Sequence, residues 1–332
     1  MNKNIPEYYY ENGYLDNKIQ EIQAKSQNIN GAAFAFVTDI HVAKNAMHSQ
    51  YIIKEIMNNT PVENVFFGGD AIDTYGKKES CLKQIEEIKA YADVIGDRFY
   101  PVRGNHDFGI CDGPDDGGVG FTLDEPTSRD LIVRPGSANM HDVPGKCFYY
   151  VDDAERKIRY IILDGYEIVI PGDHPWGVKD KILQDQYEWL LNDALNVDDY
   201  TIFVFAHAPG DKKINSWAPE MIPVTELLRA YNSRNSYRLN NDVAMLYTDF
   251  KNATSTVAAF ICGHNHIDDS NQEGGLLVIS TVGDSLYQEP NAPERKKDTL
   301  SEHGFDIFVV DKDSRSLSAI RIGAGESREW EY

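Results

Sequence analysis

The chain has 332 residues, 42% hydrophobic and 26% charged, which is enough apolar mass for a sizeable core and is compatible with one large α/β domain. Its formal net charge of −21 argues against steering toward DNA, RNA or an anionic membrane, but not against a small phosphate ester at a local metal centre, where bound cations reverse the field. Cys81, Cys111, Cys147 and Cys262 are widely spaced with no CxxC, so neither a zinc knuckle nor a redox motif is indicated, and free buried thiols are expected.

The first residues lack the apolar core of a secretory signal, and no apolar run approaches membrane-spanning length. A cytoplasmic protein without membrane contact is therefore expected. Residues 1–30 form a polar lead-in in which Leu15, Ile19 and Ile22 recur at helical spacing, an N-terminal helical extension. Residues 32–37 (AAFAFV) are apolar on both faces, as in a central buried strand, and Asp39 and His41 follow. A helix over 46–59 buries Ile52, Ile53 and Ile56 and stops at Pro61. A second strand, 65–69, ends at Asp70. A helix over 79–95 then leads to a third strand, 98–102, which runs into Arg103-Gly104-Asn105-His106-Asp107. This alternation predicts parallel pairing with right-handed crossovers.

Residues 108–146 are turn-rich and read as an insertion over the site. A hairpin is expected from 147–151 and 158–163, followed by Asp164, a loop over 166–180 and a helix over 181–196. The strand 201–205 delivers His207. Residues 210–240 read as a second irregular insertion, and a helix is expected near 241–251. The strand 255–262 precedes Gly263-His264-Asn265-His266, and further strands are expected at 275–283, 305–311 and 316–322. No repeat or linker splits the chain, so a single domain over 1–332 is expected.

Asp39, His41, Asp70, Asn105, His207, His264 and His266 all fall just after β-type apolar runs. Their mixed oxygen and nitrogen donors suit Mn, Fe or Zn better than Ca. Seven ligands exceed the need of one ion with an open position but fit two ions sharing a carboxylate. Paired ions activate a bridging water and clamp a phosphoryl group for in-line displacement. The inferred reaction is therefore phosphate-ester hydrolysis by attack of a metal-bridging hydroxide.

The ordered set DxH, GD, GNHD, H and GHxH, spanning residues 39 to 266, resembles the calcineurin-like metallophosphoesterase family, in its bacterial or prophage-type phosphohydrolase branch. The resemblance implies an α/β fold, a two-sheet β-sandwich flanked by helices, with a dinuclear site at the C-terminal ends of strands. It implies that Asp39, His41 and His266 hold one divalent or mixed-valence ion, that Asn105, His207 and His264 hold the other, and that Asp70 bridges them. His106 would face substrate as proton donor or electrostatic stabiliser, Asp107 would orient it, and Arg103 would bind a phosphate oxygen. Purple acid phosphatases carry a tyrosine three residues after the GD aspartate; Asp73 stands there, so that branch is not expected.

A small phosphate ester is the expected partner, with a diester slightly favoured over a monoester. A metal-dependent nuclease is the alternative enzyme, though the net charge of −21 offers little support for a basic track. A non-catalytic interaction module on the same fold should lack ligands, and none is missing. Oligomeric state has no readable signal. Trp176, Trp217, Tyr231 and Tyr287 are aromatics available to line a pocket, but loop aromatics are as often local packing and are not assigned to the site. His141, His174 and His303 have no motif around them.

Overall fold

The computed structural model describes residues 2–73, 78–108, 129–169, 178–179, 182–214 and 218–332. In chain order the elements are α1 (Tyr14–Ser26), β1 (Gly31–Val37), α2 (Ser49–Asn59), β2 (Val62–Phe67), α3 (Lys78–Ile95), β3 (Phe99–Pro101), β4 (Met140–Asp142), β5 (Tyr149–Asp153) and β6 (Ile158–Ile162). The short strands β7 (Ile168–Val169) and β8 (Val178–Lys179) follow, then α4 (Gln184–Trp189), β9 (Thr201–Phe205), α5 (Ile222–Asn232), β10 (Ser236–Asn240) and β11 (Met245–Asp249). The chain closes with β12 (Thr256–Cys262), β13 (Asp269–Glu273), β14 (Leu276–Ser280), β15 (Gly304–Asp311), β16 (Ser316–Gly323) and β17 (Arg328–Glu331).

Two sheets carry the architecture. One has the order β17-β16-β15-β1-β2-β3, the other β13-β14-β12-β9-β6-β5-β4. β1, β2 and β3 pair in parallel, as do β6, β9, β12 and β14, while the outer strands turn antiparallel. Strand alternation makes each central strand serve two cores. In β1, Ala33, Ala35 and Val37 meet the helices, whereas Phe34 and Phe36 point between the sheets. In β9, Ile202 and Val204 face outward to helices and Phe203 and Phe205 face inward. The inner layer is largely aromatic: Phe66 stacks on Phe205 at 4.3 Å and 11°, and Phe34 on Phe308 at 5.3 Å.

The helices follow from their apolar spacing. Cys81, Ile85, Ile88, Ala92 and Ile95 line the buried stripe of α3, and Ile52, Ile53 and Ile56 that of α2. Leu15 and Ile22 bury the predicted N-terminal helix. Cys81, Cys147 and Cys262 are buried free thiols as expected, and Cys111 lies outside the described residues. Among the described residues no helix is long and apolar enough to cross a membrane.

Two expectations are corrected. The helix expected near 241–251 is the second strand of a hairpin, β10–β11. Asn241 builds its turn, accepting from the Val243 and Ala244 amides, and β11 alternates exposed and half-buried residues with period two. The stretch 210–240 is not wholly irregular, because α5 packs on the second sheet through Val224, Leu227, Leu228 and Tyr231. That i, i+3, i+4, i+7 spacing was present in the sequence, with Pro223 in the first turn where proline is tolerated. Of the other expected insertion, residues 109–128 lie outside the described residues, and 129–146 hold a π-helical turn and β4.

Opposite edges of the two sheets are joined by buried charges. Asp306 of β15 accepts from Arg321 Nε at 2.8 Å and from Arg328 Nη2 at 2.7 Å, and Arg321 Nη2 also reaches Asp268 at 2.6 Å. Asp268 stands two residues beyond His266 and one before β13, so this network ties the first sheet to a site loop of the second. Burial opposes ionisation of Asp306, but Arg321 and Arg328 outweigh it and hold the carboxyl below the usual range. A depressed carboxyl stabilises the fold above its unfolded pKa, about 3.9, and loses that contribution as pH falls through the folded value. Asp306→Asn should therefore lower stability by about 3 kcal/mol near neutrality. In urea unfolding the gap from the parent should shrink as pH is lowered below about 4.

Candidate metal centre

The ligand loops begin where the central strands end. Asp39 and His41 follow β1, Asp70 follows β2, Asn105 follows β3, His207 follows β9, and His264 and His266 follow β12. The structure brings all seven together. Five of them adopt left-handed backbone: Asp39 (φ 54°), His41 (44°), Asp70 (53°), His264 (70°) and His266 (54°). This conformation is uncommon outside glycine and marks a constrained site. Two glycines make room. Gly69 is itself left-handed at φ 96°, and a Cβ there would lie 2.6 Å from His207 Nδ1; a Cβ on Gly104 would strike Asp70 Oδ1.

Each carboxylate anchors itself with one oxygen and presents the other. Asp39 Oδ2 accepts from Thr38 Oγ1 at 2.6 Å and from the His264 amide at 3.1 Å. Asp39 Oδ1 lies 3.0 Å from His266 Nε2 and 3.9 Å from His207 Nε2. Asp70 Oδ1 accepts from the His106 amide at 2.8 Å. Asp70 Oδ2 lies 3.1 Å from His207 Nε2, 3.8 Å from His41 Nε2 and 4.0 Å from His106 Nε2. It is thus central among donors from both sheets. His207 Nδ1 donates to the Gly68 carbonyl at 2.8 Å, which leaves Nε2 bare and facing Asn105 Oδ1 at 3.1 Å. His264 Nδ1 meets the same Asn105 oxygen at 3.0 Å.

The donor geometry fits metal ions. Asp39, His41 and His266 offer ligand atoms within 4.8 Å of one another, and so do Asp70, His207 and His264; His41, Asp70 and His106 form a third such group. Without cations the two carboxylates are compensated by histidine charge: burial opposes it, but Asp70 and Asp39 outweigh burial and raise His207 to about 10, and Asp39 raises His266. Burial would raise Asp39 and Asp70, but the surrounding histidines outweigh it and hold both below the usual carboxylate range. Burial and the His207 charge push His264 down to about 4, and burial lowers His41. Ionised carboxylates and neutral imidazoles are the forms that bind metal, so ions entering beside Asp39 and Asp70 would displace the protons of His207 and His266.

Of the remaining three predicted residues, His106 stands beside the ligands as expected, while Asp107 and Arg103 have partners other than those expected. Asp107 does not orient His106. Its buried carboxylate accepts from the amides of Gly104 (2.7 Å), Asp70 (3.0 Å), Ala71 (2.8 Å) and Ile72 (3.2 Å), so it pins the loops after β2 and β3 to each other. Burial and the Asp70 charge raise this carboxyl to about 6. Asp73 is the residue that faces His106, 3.7 Å from Nδ1. Burial pulls the His106 imidazole down, but Asp70 and Asp73 outweigh it and raise the ring above its ordinary value.

Arg103, expected to bind a phosphate oxygen, is paired with Asp164. It is 1% exposed, with Nε 3.2 Å from Asp164 Oδ1, Nη2 paired to Asp164 Oδ2 and Nη2 donating to the Tyr166 carbonyl at 3.1 Å. A buried guanidinium needs such a partner, and Asp164 is itself fixed by Gln186, which accepts from its amide and donates to its carbonyl, both at 2.9 Å.

Two neighbours of the centre were not assigned from sequence. Tyr166 is buried with its hydroxyl 3.5 Å from Asn105 Oδ1, and Tyr287 borders His41 and His266. Of the other aromatics, Tyr231 is core, and Trp176 and Trp217 lie outside the described residues, as does His174.

A sandwich that delivers carboxylate, amide and imidazole donors from the strand ends of both sheets to one point is a scaffold for a dinuclear metal centre. Residues 32–268, well over half the chain, match the family model of the calcineurin-like phosphoesterases, and the chain belongs to that family. A dimetal phosphatase from Danio rerio shares the fold, with a TM-score of 0.62 and 16% identity over 91% of this chain and 99% of its own. The Plasmodium inner membrane complex anchor GAP50 aligns at TM-score 0.48 and 12% identity, covering 90% of this chain and 88% of its own. A putative 5'-nucleotidase from Staphylococcus aureus aligns at 0.45 and 13%, covering 91% and 54%. No curated protein matches the chain.

The role of Asp107 is open to a direct check. Asp107→Ala leaves four amides without their acceptor and frees the Asp70 loop. Metal affinity should fall by about 10- to 100-fold, measured as metal content after dialysis against a buffered metal series. Asp73→Asn, which leaves those amides paired, should keep the metal.

Proposed function

We propose that the protein is a dinuclear metal-dependent phosphoesterase that hydrolyses small phosphodiesters in preference to phosphomonoesters. The observation that carries this is the position of Asp70 Oδ2, within 4.0 Å of imidazoles contributed by the β1, β3 and β9 loops. Asp39, His41 and His266 hold one ion, Asn105, His207 and His264 the other, and Asp70 belongs to both. The donor set suits Mn, Fe or Zn. Bound ions of this kind supply Lewis acidity toward a phosphoryl oxygen and make water nucleophilic near neutral pH.

The chain's own groups do the rest. The left-handed turns hold the ligands before substrate arrives, so little rearrangement accompanies the reaction. His106 stands at the mouth, 15% exposed, where its Nε2 proton goes to the departing ester oxygen. Asp73 faces its other nitrogen and favours the protonated ring. Bound cations would offset the influence of Asp70 on His106 and leave Asp73 as its principal carboxylate.

The diester preference draws support from Arg103. A monoester dianion carries one more negative charge than a diester. With its guanidinium committed to Asp164, Arg103 is withdrawn from the terminal phosphate oxygen it was expected to meet.

The test is hydrolysis of bis(4-nitrophenyl) phosphate against 4-nitrophenyl phosphate by protein loaded with Mn²⁺. The diester should give the higher kcat/KM. Asp70→Asn should lower it by about 100-fold or more, about 2.7 kcal/mol of transition-state stabilisation, and chelation should abolish it. Equal activity of Asp70→Asn and parent would sink the mechanism.

A further inference from the structure

Tyr287 is one of the few large hydrophobic side chains left exposed, at 50%. It sits on the loop after β14, beside the ligand histidines. Its ring lies parallel to that of His266 (centroids 6.0 Å apart, 21° between planes) and edge-on to His41 at 5.6 Å. The His41 ring in turn meets His106 edge-on at 4.7 Å. His41 therefore contacts both rings, and Tyr287 borders the side of the centre on which His106 stands. Asp73, which faces His106, is also close enough to Tyr287 to add to the effect of burial in raising its phenol above the ordinary value.

The loop that carries Tyr287 is tied down. The Ser285 amide donates to the Asp39 carbonyl at 3.2 Å, Arg295 Nη1 to the Gly283 carbonyl at 3.0 Å, and the Arg295 amide to Gln288 Oε1 at 2.9 Å. A half-exposed aromatic ring fixed beside the reacting centre has lost little freedom that binding would otherwise have to remove. Among the described residues the ring is not part of any of the three hydrophobic cores. An exposed π-face recognises another planar ring.

We propose that Tyr287 is a specificity-determining residue, an aromatic ledge that stacks against a planar ring carried on the leaving oxygen of the diester. This rests on the phosphoesterase reading above and on His106 serving that oxygen. The chemistry recognised is a flat aromatic group, which a nucleobase or a simple aryl ring would each supply.

The experiment compares parent, Tyr287→Ala and Tyr287→Phe, each loaded with Mn²⁺, on bis(4-nitrophenyl) phosphate, 3',5'-cyclic AMP and glycerophosphoglycerol. Alongside, calorimetry measures binding of AMP and of glycerol 3-phosphate. Tyr287→Ala should lower kcat/KM by about tenfold on the aromatic diesters and by less than about twofold on glycerophosphoglycerol, which has neither a ring to stack nor a cation to sit on one. Tyr287→Phe should behave as the parent on all three. AMP should bind the parent more tightly than glycerol 3-phosphate, and Tyr287→Ala should erase that difference. A loss confined to the cyclic nucleotide identifies the partner ring as a nucleobase; a loss on both aromatic substrates identifies any aryl group.

Equal losses on all three diesters would show that Tyr287 only props His41 and His266 and would overturn the proposal, as would an AMP preference unchanged in Tyr287→Ala. If the parent hydrolyses none of the diesters yet shows the Tyr287-dependent AMP preference, the ledge stands and the hydrolytic reading falls.

Discussion

The centre depends on backbone that most residues avoid. Five of its seven ligands lie at positive φ, each at a cost of roughly 1–3 kcal/mol relative to relaxed backbone. Such turns persist only when their surroundings leave no alternative. Here the strands supply that pressure: each loop leaves a central strand buried on both faces, so its first residues have little room to relax. The cross-links do the remainder. The amides of Asp39 and His41 donate to the carbonyls of Gly69 and Asp70, so the loops after β1 and β2 are zipped together, and Asp107 clasps the loop after β3 to that pair.

This explains which parts of the site were legible in the sequence. A ligand a residue or two past an apolar run has only one place to go when that run is a central strand. Asp39, Asp70, His207 and His264 could therefore be placed from local pattern, and the strands themselves from their apolar runs. Arg103 and Asp107 could not. Both sit in the most informative motif of the chain, yet their roles are decided by partners elsewhere: Asp164, 61 residues away, for Arg103, and the amides of residues 70–72 for Asp107. A buried arginine and a substrate-facing one look alike in one dimension. Tyr287 was visible but undecidable for the same reason, because its exposure and its two histidine neighbours are properties of three-dimensional placement alone. The strand misread as a helix over 241–251 is a different case: a short apolar run fits either period until its partner is known.

The charge balance has an inner and an outer part. The acidity of the chain is mostly on the surface, where it is solvated. Inside, most carboxylates are met by a cation, and Asp107 is met by four backbone amides instead. Asp306 and Asp268 share Arg321 and Arg328, Asp164 holds Arg103, and Asp211 holds Arg229. Asp39 and Asp70 differ in that each has several histidines, and among the described residues no lysine or arginine, in ion-pair range. Two buried carboxylates ringed by imidazoles satisfy the rule that buried charge is compensated, through protonated histidine without cations and through the ions once these occupy the space between them.

The pairing of β1 has a consequence for biosynthesis. β1 lies between β2 on one side and β15 on the other, so the strand that carries the first two ligands is flanked by one neighbour made soon after it and another made only after β2–β14. During translation the β1–β2 half of the sheet emerges with an open edge and an aromatic inner face, and the second sheet that covers that face follows later. Residues 304–311 close the edge last. The nascent chain must keep β1 unpaired on that side until β15 emerges, which makes this edge the point where a chaperone, or a neighbouring nascent chain, would compete with β15.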